Sequence, residues 1–474
     1  MTATTERSRV IGEATIGELR SSIKGQVIRP GDQGYDEARA IWNASHDKRP
    51  AFVIRCEGTA DVIRAIEFAT SQGLPVAVRG GAHSIAGFST VDDGVVIDLS
   101  SMRAVTVDPV HRRAVAQGGA TWRDFDHETQ AFGLGVTGGL VSSTGLGGFT
   151  LGGGIGWTLR KYGLASDSLV GADVVTADGR LVHASADSHR ELFWALQGGG
   201  GNFGIVTSLE FELHPLGPTV LGGLLFFPPE SARQVLTGWR ELTKSMPDEL
   251  TSLVNLTTAP PVPFLPESVH GKPIVVVAAV HCGPMDAAEK AVEPLRSLAV
   301  PILDHLGPVP YVAMQQALDP LWEAGAHNYF TSAMLKQFPD EAVEEMLRRW
   351  EAKPTPQSEL HLHHAGGAMG RVPADATAFG HRDAAYILNV IARSPQGRGF
   401  DKSREWARAA RAALSAYGEG SMYVNFTGDA EPDKVRASYP PATYARLVAV
   451  KREYDPSNLF RLNQNIRPEP LVGP

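Results

Sequence analysis

Residues 76–87, VAVRGGAHSIAG, place an arginine, two glycines and a histidine directly behind a short apolar run. The apolar run predicts a strand that ends near Arg79, and the glycines predict a tight turn after it. Such a turn presents several backbone N–H groups, with the Ser84 hydroxyl as a further donor. It can therefore bind a pyrophosphate without a helix dipole. The alternative is a purely structural glycine turn around a buried His83.

Further glycine clusters lie at 118–119, 133–156 and 198–204, all in the first half of the chain. Glycine lets a backbone approach a ligand closely, so the clusters predict loops wrapped around one. The stretch 144–157, TGLGGFTLGGGIGW, would contact that ligand from the other side. Two GxGxxG matches begin at Gly133 and Gly199, but neither has a strand before it and a helix after it. A Rossmann dinucleotide site is therefore excluded.

Composition limits the class of protein. The chain has 474 residues, 43% hydrophobic residues, a net charge of −8 and two cysteines, Cys56 and Cys282. These values predict a soluble, cytoplasmic protein of two or more domains. A monomer or a homodimer is expected. The same values argue against a nucleic-acid partner, a membrane partner and a disulfide framework. No signal peptide or membrane-spanning segment is predicted.

The hydrophobic pattern predicts an α+β fold. Strand patterns surround one helix that Thr59 would cap and Gly73 would end. An Asp178-Gly179 turn joins two further strands. After the PLGP stretch at 215–218, long strand patterns alternate with amphipathic helices, which indicates a second α+β domain built on an antiparallel sheet. The predicted domains are 1–216, 217–420, and a C-terminal segment, 421–474, that returns to the first domain.

Several stretches together resemble the vanillyl-alcohol oxidase superfamily of flavin enzymes, in its berberine-bridge-enzyme-like branch. They are VRGGAHSIAG (78–87), residues 144–179, LFWALQGGGGNFGIVT (192–207), YVNF (423–426) and YDPSNLFRLNQNI (454–466). With GYDEARAIWN (34–43), the last stretch is most similar to the bacterial subgroup of the enterocin-pathway flavin oxygenase. The resemblance implies an FAD-binding domain of the PCMH type, made of two α+β lobes, and a substrate domain over the flavin.

The resemblance also implies the cofactor site. The histidine of the R-G-G-x-H turn, here His83, would bond covalently to the flavin. Many relatives add a cysteinyl link at the position of Val141, so this chain is expected to lack the second link. The implied FAD-binding residues are Arg79, Gly80, Gly81, Ala82, His83, Ser84, Gly87, Gly118, Val141, Thr144, Gly145, Gly147, Gly148, Gly152, Gly153, Gly154, Gly156, Tyr162, Gly163, Asn202, Gly204, Ile205, Val206, Tyr423, Asn425, Asn463 and Gln464.

Candidate catalytic residues come from the second domain. In SELHLHHAGG (358–367), strand alternation puts Glu359, His361 and His363 on one face. Either histidine could accept the proton that accompanies hydride transfer, and we favour His361. A metal site and a solvated sheet face are the alternatives, although no third metal ligand is evident. By position in the family, Asn255, Asn389 and Thr144 are further candidates, with Thr144 beside the carbon that reacts with oxygen. Phe426 replaces the tyrosine that many relatives use as part of the base.

The predicted function is a covalent-FAD oxidoreductase that transfers hydride from a small or polyketide-like metabolite, with O₂ as the acceptor. Oxidation of a sugar, an alcohol or an amine of the hydroxynicotine type is the first alternative. A flavin-carrying binding protein without turnover is the alternative from another class. No metal is expected.

Overall fold

The computed structural model describes residues 11–468. The first lobe is a four-stranded sheet in the order β1-β2-β4-β3, in which β2, β4 and β3 are parallel and β1 is antiparallel. Its elements are α1 (Glu13–Ser22), β1 (Gln26–Ile28), α2 (Tyr35–Arg39), β2 (Phe52–Arg55), α3 (Thr59–Gln72), β3 (Val76–Arg79) and β4 (Val95–Asp98). The predicted strand before the R-G-G-x-H turn is therefore confirmed.

Helix α3 packs an apolar face, which includes Val62 and Ile66, into the core of this lobe. It ends as expected at Gly73, whose φ of +68° is a conformation that glycine adopts without strain. The predicted cap at Thr59 is wrong, because Thr59 is the first helical residue and Gly58 precedes it without a side-chain cap. The Asp61 carboxylate in the first turn instead accepts the backbone N–H groups of residues 24, 25 and 57.

The second lobe is a five-stranded antiparallel sheet in the order β5-β6-β10-β8-β9, accompanied by the short β7–β11 pair. The predicted hairpin through Asp178 and Gly179 is confirmed, because Val175 pairs with Leu181 across the turn. The elements are β5 (Val105–Asp108), β6 (Arg113–Gln117), α4 (Trp122–Gln130), β7 (Leu134–Gly135), α5 (Leu146–Leu151), α6 (Leu159–Tyr162), β8 (Leu169–Val175), β9 (Leu181–Ser185), α7 (Arg190–Leu196), β10 (Ile205–Glu212) and β11 (His214–Pro215).

The remaining strands form one antiparallel sheet in the order β15-β12-β14-β13-β18-β19-β17, with β16 also paired to β12. The strands are β12 (Thr219–Phe227), β13 (Leu250–Thr258), β14 (Pro273–His281), β15 (Leu303–Asp304), β16 (Gly307–Pro310), β17 (His327–Leu335), β18 (Glu359–His364) and β19 (Tyr386–Ser394). The helices are α8 (Ala232–Thr243), α9 (Met285–Arg296), α10 (Tyr311–Gln316), α11 (Asp340–Glu351), α12 (Ala368–Arg371) and α13 (Phe400–Leu414).

Helices α8, α9, α11 and α13 cover one face of this sheet and form the largest apolar core, in which Trp239 is fully buried. The strands alternate, so the side chains on their opposite face are free to line a site. The two α+β lobes and the α+β domain on an antiparallel sheet confirm the predicted fold class. Short 3₁₀ turns lie at Ala165–Ser168, Pro229–Ser231, Glu267–Val269, Asp319–Leu321, Ser415–Tyr417 and Val424–Phe426.

The C-terminal segment contains α14 (Pro432–Ala437) and α15 (Pro441–Tyr454) and contacts the glycine-rich loop at 198–204. The fully buried Lys451 ammonium pairs with Asp455 at 2.6 Å and donates to the carbonyl oxygens of Asn202 and Phe460. A buried ammonium needs such partners, because its desolvation is otherwise costly. Between residues 11 and 468, no helix is long and apolar enough to cross a membrane.

Candidate active site

A cavity of about 370 Å³ lies where loops of both lobes meet the uncovered face of the large sheet. One wall is the turn after β3, a second is the glycine-rich stretch 139–152, and a third is the segment 200–206. The opposite wall comes from β17, β18 and β19, and residues 460–464 close one side. Large clefts between domains are the usual location of ligand sites.

Most of the predicted FAD-binding residues line this cavity, although six separate parts of the chain supply them. Those that line it are Gly80, Gly81, Ala82, His83, Ser84, Gly118, Val141, Thr144, Gly145, Gly147, Gly148, Gly152, Gly204, Ile205, Val206, Asn425, Asn463 and Gln464.

The glycines leave room for a large ligand. Gly148 and Gly201 line the cavity, and a Cβ atom added at either would meet nothing within 4 Å. A Cβ at Gly81 or Gly145 would overlap the backbone of the other residue, so these two turns pack directly against each other. At the far wall, the Asn463 amide donates to the Gly201 carbonyl oxygen at 3.1 Å, while its own oxygen is buried and has no partner among residues 11–468. This cradle of exposed backbone fits a long cofactor with phosphate groups, such as FAD.

Arg79 does not line the cavity, contrary to its predicted role at the pyrophosphate. Its guanidinium donates to the carbonyl oxygens of Ala38 and Ala40 and lies 3.7 Å from the Asp98 carboxylate. The side chain is buried, because β3 directs it beneath the sheet toward α2. Arg79 therefore fixes the strand from which the turn leaves.

Eight further predicted binders also lie behind the lining, namely Gly87, Gly153, Gly154, Gly156, Tyr162, Gly163, Asn202 and Tyr423. Tyr423 supports the lining from behind. The buried Tyr423 hydroxyl accepts the Gly154 N–H and the Asn425 amide, each at 2.9 Å, and so holds Asn425 at the cavity wall. Tyr162 stacks on His214 with ring centroids 4.5 Å apart.

His83 lies at the cavity wall between two partners. Its ring stacks on Trp42, with a centroid distance of 5.0 Å and an interplanar angle of 18°. Its Nε2 atom is 3.0 Å from the Ser143 hydroxyl. Burial lowers the pKa of His83 to about 4, partly offset by the Asp319 carboxylate. The imidazole is therefore neutral at pH 7 and retains a lone pair.

The predicted alternation of β18 is confirmed. Leu360 and Leu362 are buried in the helix-covered core, whereas His361 and His363 face the cavity. Asn389 on β19 pairs with His361 in register and also lines the cavity. The solvated-face alternative is wrong, because both histidines are more than 90% buried.

Asn255 does not line the cavity, although it was a catalytic candidate. Its amide donates to Glu359 Oε2 at 2.7 Å, and His361 Nε2 lies 2.7 Å from the same oxygen. Burial alone would raise the pKa of Glu359, but the hydrogen bonds from His361 and Asn255 hold that pKa below its usual value. Glu359 is thus a carboxylate that orients His361.

Burial lowers the pKa of His363 to about 3, with a smaller contribution from the charge of His361. Its Nε2 atom is buried and has no hydrogen-bond partner among the described residues. The two histidines are therefore not equivalent: His363 is a neutral polar group, whereas His361 is coupled to a carboxylate.

The cavity also has an aromatic wall near His361 and His363, which was not predicted from the sequence. Trp42, Trp322 and Phe330 pack against one another with centroid distances of 5.8–6.4 Å, and all three line the cavity. Phe426 also lines the cavity, and its ring centroid lies 5.7 Å from that of His363. Trp42 lies in the GYDEARAIWN stretch, which could have indicated it. The sequence around Trp322 and Phe330 contains no motif that could have indicated a place at the cavity.

Neither cysteine lines the cavity. Cys56 lies in the core of the first lobe and Cys282 packs beneath β12 and β14, whereas Val141 is at the cavity wall. Within residues 11–468, no group of three His, Cys, Asp or Glu side chains is arranged to hold a metal ion.

Comparisons with known proteins identify the family of the chain. Residues 50–185 match the FAD binding domain family, and residues 422–467 match the berberine and berberine-like family. The chain is 35% identical to (R)-6-hydroxynicotine oxidase of Paenarthrobacter nicotinovorans, over 94% of this chain and 98% of that protein. It is 32% identical to an FAD-linked oxidoreductase of Dictyostelium discoideum, over 96% of this chain and 97% of that protein.

The solved structure of 6-hydroxy-D-nicotine oxidase from Arthrobacter nicotinovorans superposes with a TM-score of 0.85 at 32% identity, covering 94% of this chain and 99% of that chain. A chitooligosaccharide oxidase shares the fold, with a TM-score of 0.84 at 24% identity over 96% of this chain and all of that one. The enterocin-pathway subgroup stays a prediction. The chain has an FAD-binding domain and a berberine-like C-terminal segment, and it is 35% identical to a relative over nearly the full length of both proteins. It therefore belongs to the berberine-bridge-enzyme-like family of FAD-dependent oxidases.

Proposed function

We propose that this oxidase carries its FAD on His83 and oxidises a small, flat, largely apolar donor, with His361 accepting the proton and O₂ accepting the electrons. Bound FAD would supply the two-electron acceptor at N5 and pass the electrons to O₂. The donor would lie between the cofactor and the sheet face that carries His361.

The single histidyl link is supported by the state and surroundings of His83. The imidazole is neutral, lies at the cavity wall, and is held by Trp42 and Ser143, so a nucleophilic nitrogen is available. A second, cysteinyl link is not supported, because Val141 stands at the wall and Cys56 and Cys282 are buried in cores elsewhere.

The substrate class follows from the lining beside β18. Trp42, Trp322, Phe330, Ile391 and Phe426 supply flat apolar surface there, and aromatic rings of a ligand would stack on or pack edgewise against such walls. The polar groups among them are few, namely His361, His363 and Asn389. A sugar needs many directed hydrogen bonds, so this lining favours an aromatic or heteroaromatic amine or alcohol over an oligosaccharide.

The proton acceptor is argued from the hydrogen bond between His361 and Glu359. If the Nε2–H of His361 donates to the Glu359 carboxylate, Nδ1 carries the lone pair and is the basic atom. The carboxylate would also stabilise the imidazolium that forms when the substrate loses its O–H or N–H proton. His363 is less suited to this task, because its low pKa disfavours protonation, and Phe426 has no ionisable group.

Thr144 is the candidate for oxygen access. It lies at the cavity wall in the turn closed by the hydrogen bond from its own N–H to the Val141 carbonyl oxygen. A short side chain at this position leaves space where a larger branched one would crowd a reacting O₂ molecule.

The observation that carries this proposal is the Glu359–His361 pair facing an aromatic cavity. The test is a screen of aromatic amines and alcohols, beginning with (R)-6-hydroxynicotine because a relative 35% identical to this chain oxidises it. Anaerobic bleaching of the flavin absorbance identifies a donor. Oligosaccharides serve as the contrast, and bleaching by oligosaccharides alone would overturn the proposed substrate class.

A further inference from the structure

We propose that Ser143 is a positioning residue for attachment of the cofactor, which holds His83 in the orientation and tautomer that the bond requires, and that Asp319 of the substrate domain holds Ser143 in place. This inference rests on the proposed histidyl link. It assigns a role to two residues that do not line the cavity and do not enter the oxidation step.

The geometry around His83 distinguishes its two ring nitrogens. Nε2 lies 3.0 Å from Ser143 Oγ, whereas Nδ1 makes no hydrogen bond to a described residue. A neutral imidazole that donates Nε2–H to the hydroxyl has its lone pair on Nδ1. Stacking on Trp42 at 5.0 Å restricts rotation of the ring, and the Trp42 indole is itself fixed by donating to the Trp322 carbonyl oxygen at 2.8 Å.

The loop that carries Ser143 is anchored from the substrate domain. Asp319 accepts the Ser142 N–H at 2.8 Å, the Ser142 hydroxyl at 2.6 Å and the Arg123 guanidinium at 2.8 Å. On its other side, the loop pairs with the start of α4, because the Ser142 and Thr144 carbonyl oxygens accept backbone N–H groups of residues 123 and 122. Ser143 lies between these anchors, so its hydroxyl has little freedom to leave His83.

The charge of Asp319 acts in the same direction. Bond formation at Nδ1 places positive charge on the imidazole until the Nε2 proton leaves. The Asp319 carboxylate raises the pKa of His83 against the lowering by burial, so it stabilises that charge. In a partly buried site, such an interaction is stronger than in water.

The attachment step balances as follows. The 8α-methyl group of FAD loses one C–H proton, His83 loses its N–H proton, and a C–N bond forms between them. Two electrons are released to O₂, which takes up two protons and becomes hydrogen peroxide. In this step Ser143 accepts the Nε2–H hydrogen bond, and the Nε2 proton leaves to water after the C–N bond has formed.

The experiment measures covalent attachment rather than turnover. Apoprotein expressed without flavin is mixed with FAD in air, and samples are precipitated with acid over time. Flavin in the pellet, together with the intact protein mass, gives the rate of attachment, and total bound FAD is measured before precipitation.

We expect Ser143→Ala to bind FAD but to attach it about tenfold more slowly, as the loss of one hydrogen bond to a charged group predicts. Ser143→Thr, which keeps the hydroxyl, should restore the rate, and Asp319→Asn should slow it.

The chain offers a matched control. Ser168 Oγ lies 3.1 Å from His214 Nε2, and His214 stacks on Tyr162, so this pair repeats the Ser143–His83 arrangement outside the cavity. Ser168→Ala should attach FAD at the wild-type rate. Attachment at the wild-type rate in Ser143→Ala would overturn the inference while leaving the histidyl link intact. A wild-type pellet without flavin would instead refute the link in the proposed function.

Discussion

The Nε2 atom of His361 lies 2.7 Å from the Oε2 atom of Glu359, two residues earlier on the same face of β18. The same carboxylate oxygen accepts the Asn255 amide from the neighbouring strand. A carboxylate that binds one ring nitrogen fixes the tautomer and leaves the other nitrogen as the acceptor. This pair is the reason to assign the proton transfer to His361 and not to its neighbour.

His361→Ala should slow anaerobic flavin reduction at saturating donor by about a hundredfold or more, the usual contribution of a positioned base. The reduction is followed by stopped-flow absorbance. His363→Ala is the matched control and should lower the rate far less, because the pKa of His363 near 3 disfavours proton uptake. Equal rates in both variants and the wild type would mean that the strand is structural and the proton leaves to water.

Glu359→Gln should lower the same rate while leaving FAD bound, because the amide cannot stabilise an imidazolium as a carboxylate does. Asn255→Ala should have a smaller effect in the same direction. An anaerobic reduction rate unchanged in Glu359→Gln would contradict the proposed pairing.

His83→Ala should abolish acid-stable flavin. Acid precipitation of the wild type should give a yellow pellet, and a tryptic peptide containing His83 should carry the mass of the flavin. Because the pKa of His83 is lowered to about 4, its imidazole is unprotonated throughout pH 6–8. The extent of attachment should therefore not change across that range. Retention of acid-stable flavin in His83→Ala would refute the assignment.

Thr144→Leu should slow reoxidation of the reduced flavin by air, because the larger side chain occupies space at the cavity wall. Anaerobic reduction by the donor should change little. The two half-reactions are measured separately by stopped-flow absorbance, with Thr144→Ser as the conservative control. A change of equal size in both half-reactions would deny Thr144 a specific role toward oxygen.

Asp126→Asn should stabilise the protein at alkaline pH. Asp126 on α4 is buried against Gln315 of α10, with one carboxylate oxygen unpartnered among the described residues, and burial raises its pKa to about 7. The folded state therefore binds more protons than the unfolded state between about pH 4 and 7, so stability falls as pH rises through that window. The loss amounts to roughly 2–4 kcal/mol above pH 7.

The measurement is the melting temperature of wild type and Asp126→Asn from pH 4 to pH 8. The two should differ little near pH 4, and the variant should melt at the higher temperature at pH 8, because an amide cannot ionise. Parallel curves across the range would show that Asp126 does not ionise within it.

The sequence by itself determined many of the strands and helices, and it identified the R-G-G-x-H turn and the cavity-facing residues of β18. Period-2 alternation is a local property of the backbone, so it correctly separated His361 and His363 from Leu360 and Leu362. The glycines of the R-G-G-x-H turn indicated a ligand close to the backbone. This is also a local property, because a residue without a Cβ atom is needed wherever a ligand approaches the backbone closely.

The tertiary structure alone decided which of these residues meet. Arg79 belongs to the same motif as His83, yet it turns under the sheet to the carbonyl oxygens of residues 38 and 40. The partners of Asn255 and His83 are 104 and 60 residues away in the chain, and Trp322 reaches the cavity only because its turn packs against β17 and β19. Such contacts depend on strand register and domain packing, which no local periodicity encodes.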